Sequence, residues 1–117
     1  MILIVDDDPE IRFMLRLWLE ELGNAFDEVA SGEEALEKCA EQRYRAIVLD
    51  QRMPLGMSGI ETATALRERE YEGPIILHSA YLNEEVEADA AQLGLPTVEK
   101  GDERGLLAAV QAAITRE

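Results

Sequence analysis

In this 117-residue sequence, four short segments end in residues that can handle a charged oxygen group. Asp6 and Asp7 follow the apolar run Ile2–Val5, Asp50 follows Ala46–Leu49, Ser79 closes the run at residues 75–77, and Lys100 follows Thr97–Glu99. Two or three carboxylates converging at one place form a hard oxygen site suited to Mg²⁺, which keeps several waters and accepts few protein ligands. A lysine and a hydroxyl nearby add donors for the oxygens of a phosphoryl group. The set therefore suits phosphoryl transfer. Taken singly, each residue has a duller use: Asp50 as a loop start, Ser79 as a turn residue, Lys100 as a surface cation. Asp8 alone can cap the following helix, whereas Asp6 and Asp7 have no such use. His78 fits a strand position better than a metal shell.

Chemistry at four separate chain positions requires a scaffold that brings their ends together. Three runs, Ile2–Val5, Ala46–Leu49 and residues 75–77, are short, continuous, apolar and rich in β-branched residues, as strands buried on both faces are. Weaker strands are expected at residues 26–30 and at Thr97–Glu99, with helical periodicity between all five. Several helix boundaries carry their own chemistry. Asp8 before Pro9 offers a carboxylate to first-turn amides, and proline stands where its missing donor is harmless. Ser31 with Glu34 has the spacing of a capping box. Asn83 before Glu84 and Glu85 caps a helix whose dipole favours negative charge at that end. Gly23, Gly73 and Gly94 are placed to end helices. In the first helix Ile11, Met14, Leu15, Trp18 and Leu22 form a core stripe, while Phe13 and Leu17 fall on the opposite face. Alternating strands and helices give a parallel sheet covered on both sides, with right-handed crossovers. Such sheets bind ligands beyond the carboxyl ends of their strands, where all four segments finish.

Eleven basic against 25 acidic side chains leave a net charge of −14. That balance opposes direct nucleic-acid binding, which depends on lysine and arginine displacing counterions. It serves solubility or attracts a partner with a basic surface. The single cysteine, Cys39, cannot form an intrachain disulfide, so a reducing, cytoplasmic setting is expected. No apolar run approaches the ~20 residues of a membrane span, and no basic-flanked signal segment is seen. One domain over residues 1–117, without an output domain, is the expectation from length.

The chain resembles the response-regulator receiver domains of two-component signalling over essentially its whole length. The resemblance rests on Ile2-Leu3-Ile4-Val5-Asp6-Asp7-Asp8, Val48-Leu49-Asp50, Met53-Pro54, Ser79-Ala80 and Lys100. It implies a flavodoxin-like, doubly wound (βα)5 sandwich with strand order 2-1-3-4-5. It also implies that Asp50 is the phosphoacceptor, with Lys100 and Ser79 contacting the phosphoryl oxygens. Mg²⁺, or Mn²⁺ in its place, would be held by Asp7 and Asp50, by Asp6 through water, and by the main-chain carbonyl of Arg52. The implied donor is a histidine kinase or histidine phosphotransfer protein, for which Phe13 and Leu17 offer a docking point. The implied protein modifies only itself, turns over no external substrate, and is a monomer or a phosphorylation-dependent dimer.

The sequence departs from the family pattern at several places. Gly101 stands where proline usually follows the lysine, and Thr97 occupies the position of the switch aromatic, so Tyr81 is a candidate for part of that relay. The segment at residues 53–59 is one residue longer than the common form. Arg52 and Tyr81, two residues after Asp50 and Ser79, hold positions that modulate hydrolysis of the acyl phosphate, and both are large. These departures motivate one rival, a receiver-like module that signals without phosphate. A small aspartyl-phosphate phosphatase is disfavoured because no threonine stands four residues after an acidic nucleophile in Asp6-Asp7-Asp8-Pro9-Glu10. A flavin carrier is disfavoured because no serine- or threonine-rich loop follows the first strand.

Overall fold

A computed structural model describes residues 1–115. Five strands, β1 (Ile2–Val5), β2 (Phe26–Val29), β3 (Ala46–Leu49), β4 (Ile75–Ser79) and β5 (Thr97–Glu99), form one parallel sheet in the order β2-β1-β3-β4-β5. The helices are α1 (Pro9–Leu19, continued by a 3₁₀ turn at Glu20–Leu22), α2 (Gly32–Glu41), α3 (Gly59–Glu68), α4 (Glu84–Leu93) and α5 (Glu103–Thr115). Architecture and strand order agree with the flavodoxin-like expectation.

Successive side chains of a strand point to opposite faces, so each apolar strand feeds two cores. Leu3, Val5, Ile47, Leu49, Ile75 and Leu77 pack with Ala35, Ala63, Leu66 and Ala90 from α2, α3 and α4. Ile2, Ile4, Ala46, Val48 and Ile76 pack with Leu15, Leu19, Leu106 and Val110 from α1 and α5. Each buried leucine or isoleucine contributes about 2 kcal/mol, and these strands are buried along their entire length. That burial locks the register, because a one-residue slip would exchange the two cores. Val5 lies beside Leu49, Leu49 beside Leu77, and Ser79 beside Glu99. The residues that follow, Asp6, Asp50 and Lys100, therefore leave the sheet on one rim.

Most caps behave as read from sequence. Asp8 Oδ1 accepts the Glu10 amide at 2.9 Å, with Pro9 at the first helical position, and Asn83 Oδ1 accepts the Val86 amide at 2.8 Å. Gly23 and Gly94 both adopt a left-handed φ of 74° at helix ends. Two expectations need correction. Ser31 Oγ accepts the Glu34 amide, but the Glu34 carboxylate turns to the Ala30 amide and the Ser31 hydroxyl instead of the Ser31 amide. That contact to Ala30 coincides with the end of β2 at Val29. The reciprocal capping box belongs to Ser58 and Glu61 at the start of α3. Gly73 does not end a helix: α3 stops at Glu68, and Glu70 takes the left-handed position, φ 64°. The Arg67 guanidinium holds that turn through the carbonyls of Tyr71, Gly73 and Leu93, which offsets the strain of a non-glycine residue there.

In α1 the buried stripe is centred on Leu15 and Leu19, flanked by half-buried Ile11, Met14, Trp18 and, beyond the helix, Leu22. Leu19 was absent from the expected stripe. Phe13 and Leu17 are 56% and 54% exposed, as the opposite-face reading requires. Among the described residues no helix is long and apolar enough to cross a membrane.

Candidate functional site

One carboxylate oxygen from each of Asp6, Asp7 and Asp50 lies within 4.8 Å of the other two. Asp6 and Asp50 are buried, whereas Asp7 is exposed, so the cluster opens to solvent on one side. Lys100 Nζ sits 3.1 Å from Asp6 Oδ2 and 3.3 Å from Asp50 Oδ2. Asp6 Oδ1 accepts the Asp8 amide at 2.9 Å, but among the described residues the buried Oδ2 has no aligned hydrogen bond, and its contact with the ammonium is one of charge. Among the described residues, Asp50 Oδ1 has only a long contact, 3.4 Å, from the Arg52 amide. One lysine thus faces two buried carboxylates whose lone pairs are incompletely satisfied, a costly arrangement without further positive charge.

The acidities record that cost. Burial, and then the charge of Asp6, push the Asp50 carboxyl up to about 6, against the opposing pull of Lys100. Asp6 is raised as well, chiefly by burial. Burial works against the Lys100 ammonium, but Asp50 and Asp6 outweigh it and the group is held above its ordinary value. His78 is buried, and among the described residues neither ring nitrogen has a hydrogen-bond partner. Burial, aided by Lys100, lowers it to about 4, so it fills its strand position as a neutral ring. A hard divalent cation fits this donor set: it would coordinate oxygens only and supply the missing positive charge.

The rim around the cluster is built from the other strand ends. Ser79 is fully buried at the end of β4, and its Oγ accepts the Tyr81 amide at 3.0 Å, which leaves the hydroxyl hydrogen free to donate elsewhere. The Lys100 amide donates to the Ser79 carbonyl at 3.1 Å, tying the two strand exits together. Gly101 then adopts φ 95°, a conformation closed to proline, which accounts for the residue type after the lysine. Arg52 and Tyr81 lie 29 positions apart in sequence yet meet here, the guanidinium 4.4 Å from the centroid of the ring of Tyr81, an exposed residue. The longer segment at residues 53–59 is anchored at two points. Met53 is buried, and the Glu33 carboxylate of α2 accepts the Met57 amide at 3.2 Å. Leu55, at the tip, is fully exposed.

Residues 2–111 match the response regulator receiver domain. The chain belongs to that family. The receiver is 44% identical over 79 residues to the transcriptional regulatory protein ResD of Bacillus subtilis, an alignment covering 68% of this chain and 32% of ResD. It is 43% identical over an equal span to SrrA of Staphylococcus aureus, again covering 32% of that relative. The matched part of the chain thus spans about a third of the length of these curated relatives. Among solved structures, the Francisella response regulator 1452 receiver domain superposes with TM-score 0.89 at 27% identity, covering 98% of this chain and 96% of that one. TrrA of Thermotoga maritima, solved in complex with Mg(2+)-BeF, gives TM-score 0.85 at 34% identity, covering 96% of each chain.

The receiver's fold brings Asp6, Asp7, Asp50 and Lys100 into one cluster, sets Ser79 at the adjoining strand end, and stacks Arg52 on Tyr81. Phe13 and Leu17 are exposed on α1. Sequence reasoning passed over Gln51, whose side chain accepts the Ile60 amide at 2.8 Å. Its signal was present as an amide directly after the strand-terminal aspartate and ahead of a Ser-Gly helix start.

Proposed function

We propose that the receiver accepts a phosphoryl group on Asp50 from a phosphohistidine and changes its protein contacts in response. The observation that carries this reading is the placement of Asp50: buried, within reach of Asp6 and Asp7, and paired to Lys100. Asp7, Asp50 and the Arg52 carbonyl would hold Mg²⁺ or Mn²⁺, with Asp6 acting through water. When bound, the cation supplies positive charge that offsets repulsion between an anionic nucleophile and an anionic donor. The Asp50 oxygen forms the new bond to phosphorus as the phosphorus–nitrogen bond of the donor breaks, its electron pair returning to the imidazole. Lys100 and the Ser79 hydroxyl donate to the phosphoryl oxygens where charge accumulates. The chain modifies itself and turns over no other substrate. The kinase or phosphotransfer protein docks over the exposed Phe13 and Leu17, and the setting is cytoplasmic.

Incubation with acetyl phosphate and Mg²⁺ on a gel that retards phosphoproteins is expected to shift the parent. Asp50→Ala, or the parent in excess EDTA, is expected to stay unshifted. A second reading, a module that signals without phosphate, is motivated by Thr97, which stands at the switch position and donates from Oγ1 to Glu87 at 3.4 Å. An unshifted parent would favour it.

The Arg52–Tyr81 stack supports a further expectation about the lifetime of the phosphorylated state. A guanidinium over a ring, contributing about 1 kcal/mol at an exposed site, covers the approach of water to the acceptor. Replacing both residues with alanine is expected to speed dephosphorylation about tenfold, measured as decay of the shifted band after donor removal. An unchanged decay would mean that the pair only covers the loop.

A further inference from the structure

The start of α3 bears directly on the acceptor. A helix leaves its first amides without intrahelical partners, and here each has an assignable acceptor. Glu61 donates to the Oγ of Ser58, and the Ser58 amide donates to the Glu61 carboxylate. The remaining two go to a single residue outside the helix: Gly59 N–H to the main-chain carbonyl of Gln51 at 2.9 Å, and Ile60 N–H to its side-chain Oε1 at 2.8 Å. The approach is so close that a Cβ on Gly59 would overlap the carbonyl oxygen of Asp50 and come within 2.8 Å of the Gln51 Cα. Gln51 is thereby fixed at both its main chain and its side chain. It joins Asp50 to Arg52, whose amide contacts the acceptor carboxylate.

We infer that Gln51 is a positioning residue for the phosphoryl acceptor: by binding two first-turn amides of α3 it fixes the peptide units on either side of itself, and with them the aim of the Asp50 carboxylate. This inference rests on the reading of Asp50 as the acceptor. A pinned backbone keeps the attacking oxygen in line without reorganisation at the moment of transfer, and small misplacements of a reacting group are costly in rate. Leucine at this position retains bulk and loses the acceptor atom. Glutamate retains an oxygen for the Ile60 amide at a helix N-terminus, where negative charge is tolerated.

The test measures the initial rate of phosphorylation against acetyl phosphate concentration at saturating Mg²⁺ for the parent, Gln51→Leu, Gln51→Glu and Ser58→Ala. Thermal melting of each without donor is recorded alongside. Ser58→Ala loosens the same helix start without touching Gln51, so it reports what loss of α3 stability alone does. Gln51→Leu is expected to lower the maximal rate about tenfold with the half-saturating donor concentration unmoved. Gln51→Glu is expected to remain within about threefold of the parent, as is Ser58→Ala, even where Ser58→Ala melts as low as Gln51→Leu. If Gln51→Leu proves too unstable to assay, the ratio of Gln51→Glu to Ser58→Ala at matched melting temperature decides, and a Gln51→Glu rate below that of Ser58→Ala overturns the inference. Equal maximal rates for Gln51→Leu and the parent, or an equal loss in Ser58→Ala, also overturn it. A parent that takes up no phosphate would instead refute the acceptor reading.

Discussion

Lys100→Met is expected to abolish most phosphate uptake and to leave the metal-free protein about 3 kcal/mol less stable at pH 7.5. Both effects follow from one ammonium facing Asp6 Oδ2 at 3.1 Å and Asp50 Oδ2 at 3.3 Å. Removing the cation strands two buried carboxylates, and breaking a buried pair from one side costs more than the pair itself contributes. With the counter-charge gone, both carboxyls move further up, and stability returns as they are neutralised. Urea unfolding should show partial recovery on lowering the pH towards 5, and at pH 7.5 on adding Mg²⁺ in excess of EDTA. The kinetic loss is expected to have a separate origin, the missing donor proposed for a phosphoryl oxygen. That is worth about a hundredfold in rate and does not recover with either treatment. A Lys100→Met protein as stable as the parent in EDTA would show that solvent already screens the pair.

The parts of this molecule legible in sequence are those governed by local pattern or by burial on both faces. Ile2–Val5 and Ala46–Leu49 could be placed to the residue because each is wholly apolar, is buried on both faces and runs straight into a carboxylate, Asp6 or Asp50. The site was legible through the same rule, since a parallel sheet places its strand exits on one rim. Contacts between segments far apart in sequence were not legible. Arg52 and Tyr81 were each singled out by position, yet nothing in the intervening residues announces that the guanidinium lies on the ring. Gly73 looked like a helix end because glycine is the usual left-handed residue. The turn was decided instead by Arg67, which clamps the carbonyls of Tyr71, Gly73 and Leu93 and lets Glu70 take the left-handed position. Ser31 and Ser58 both have glutamate three residues on, yet the Glu34 carboxylate goes to the Ala30 amide whereas that of Glu61 goes to the Ser58 amide.

The conflict built into the acidic cluster gives an expectation of opposite sign to the first. Asp50→Asn removes the proposed acceptor and is expected to lose all phosphate uptake, yet in EDTA at pH 7.5 it is expected to be more stable than the parent by about 2 kcal/mol. The parent holds an ionised Asp50 beside Asp6 although its carboxyl prefers to keep its proton up to about 6, well above the ordinary 3.8. For a group raised on folding, the favourable contribution is full below the unfolded value and lost as pH rises through the folded one. Acidification from pH 6 to 4 therefore stabilises the parent through Asp50. His78 acts in the opposite direction: lowered from 6.5 to about 4, it contributes above 6.5 and loses that contribution as pH falls through 4. In the parent the two slopes oppose each other across one window. His78 is common to both proteins, so the advantage of Asp50→Asn at pH 7.5 should shrink as the parent's Asp50 takes up its proton and be gone near pH 4. Mg²⁺ should stabilise the parent far more than the variant, because the variant presents one carboxylate fewer to the cation. Denaturant unfolding at pH 7.5 and 4.5, with EDTA and with Mg²⁺, measures all of these quantities. Asp50→Asn melting below the parent at pH 7.5 in EDTA would show that the carboxylates are not in conflict and that the metal-free site is already balanced by Lys100.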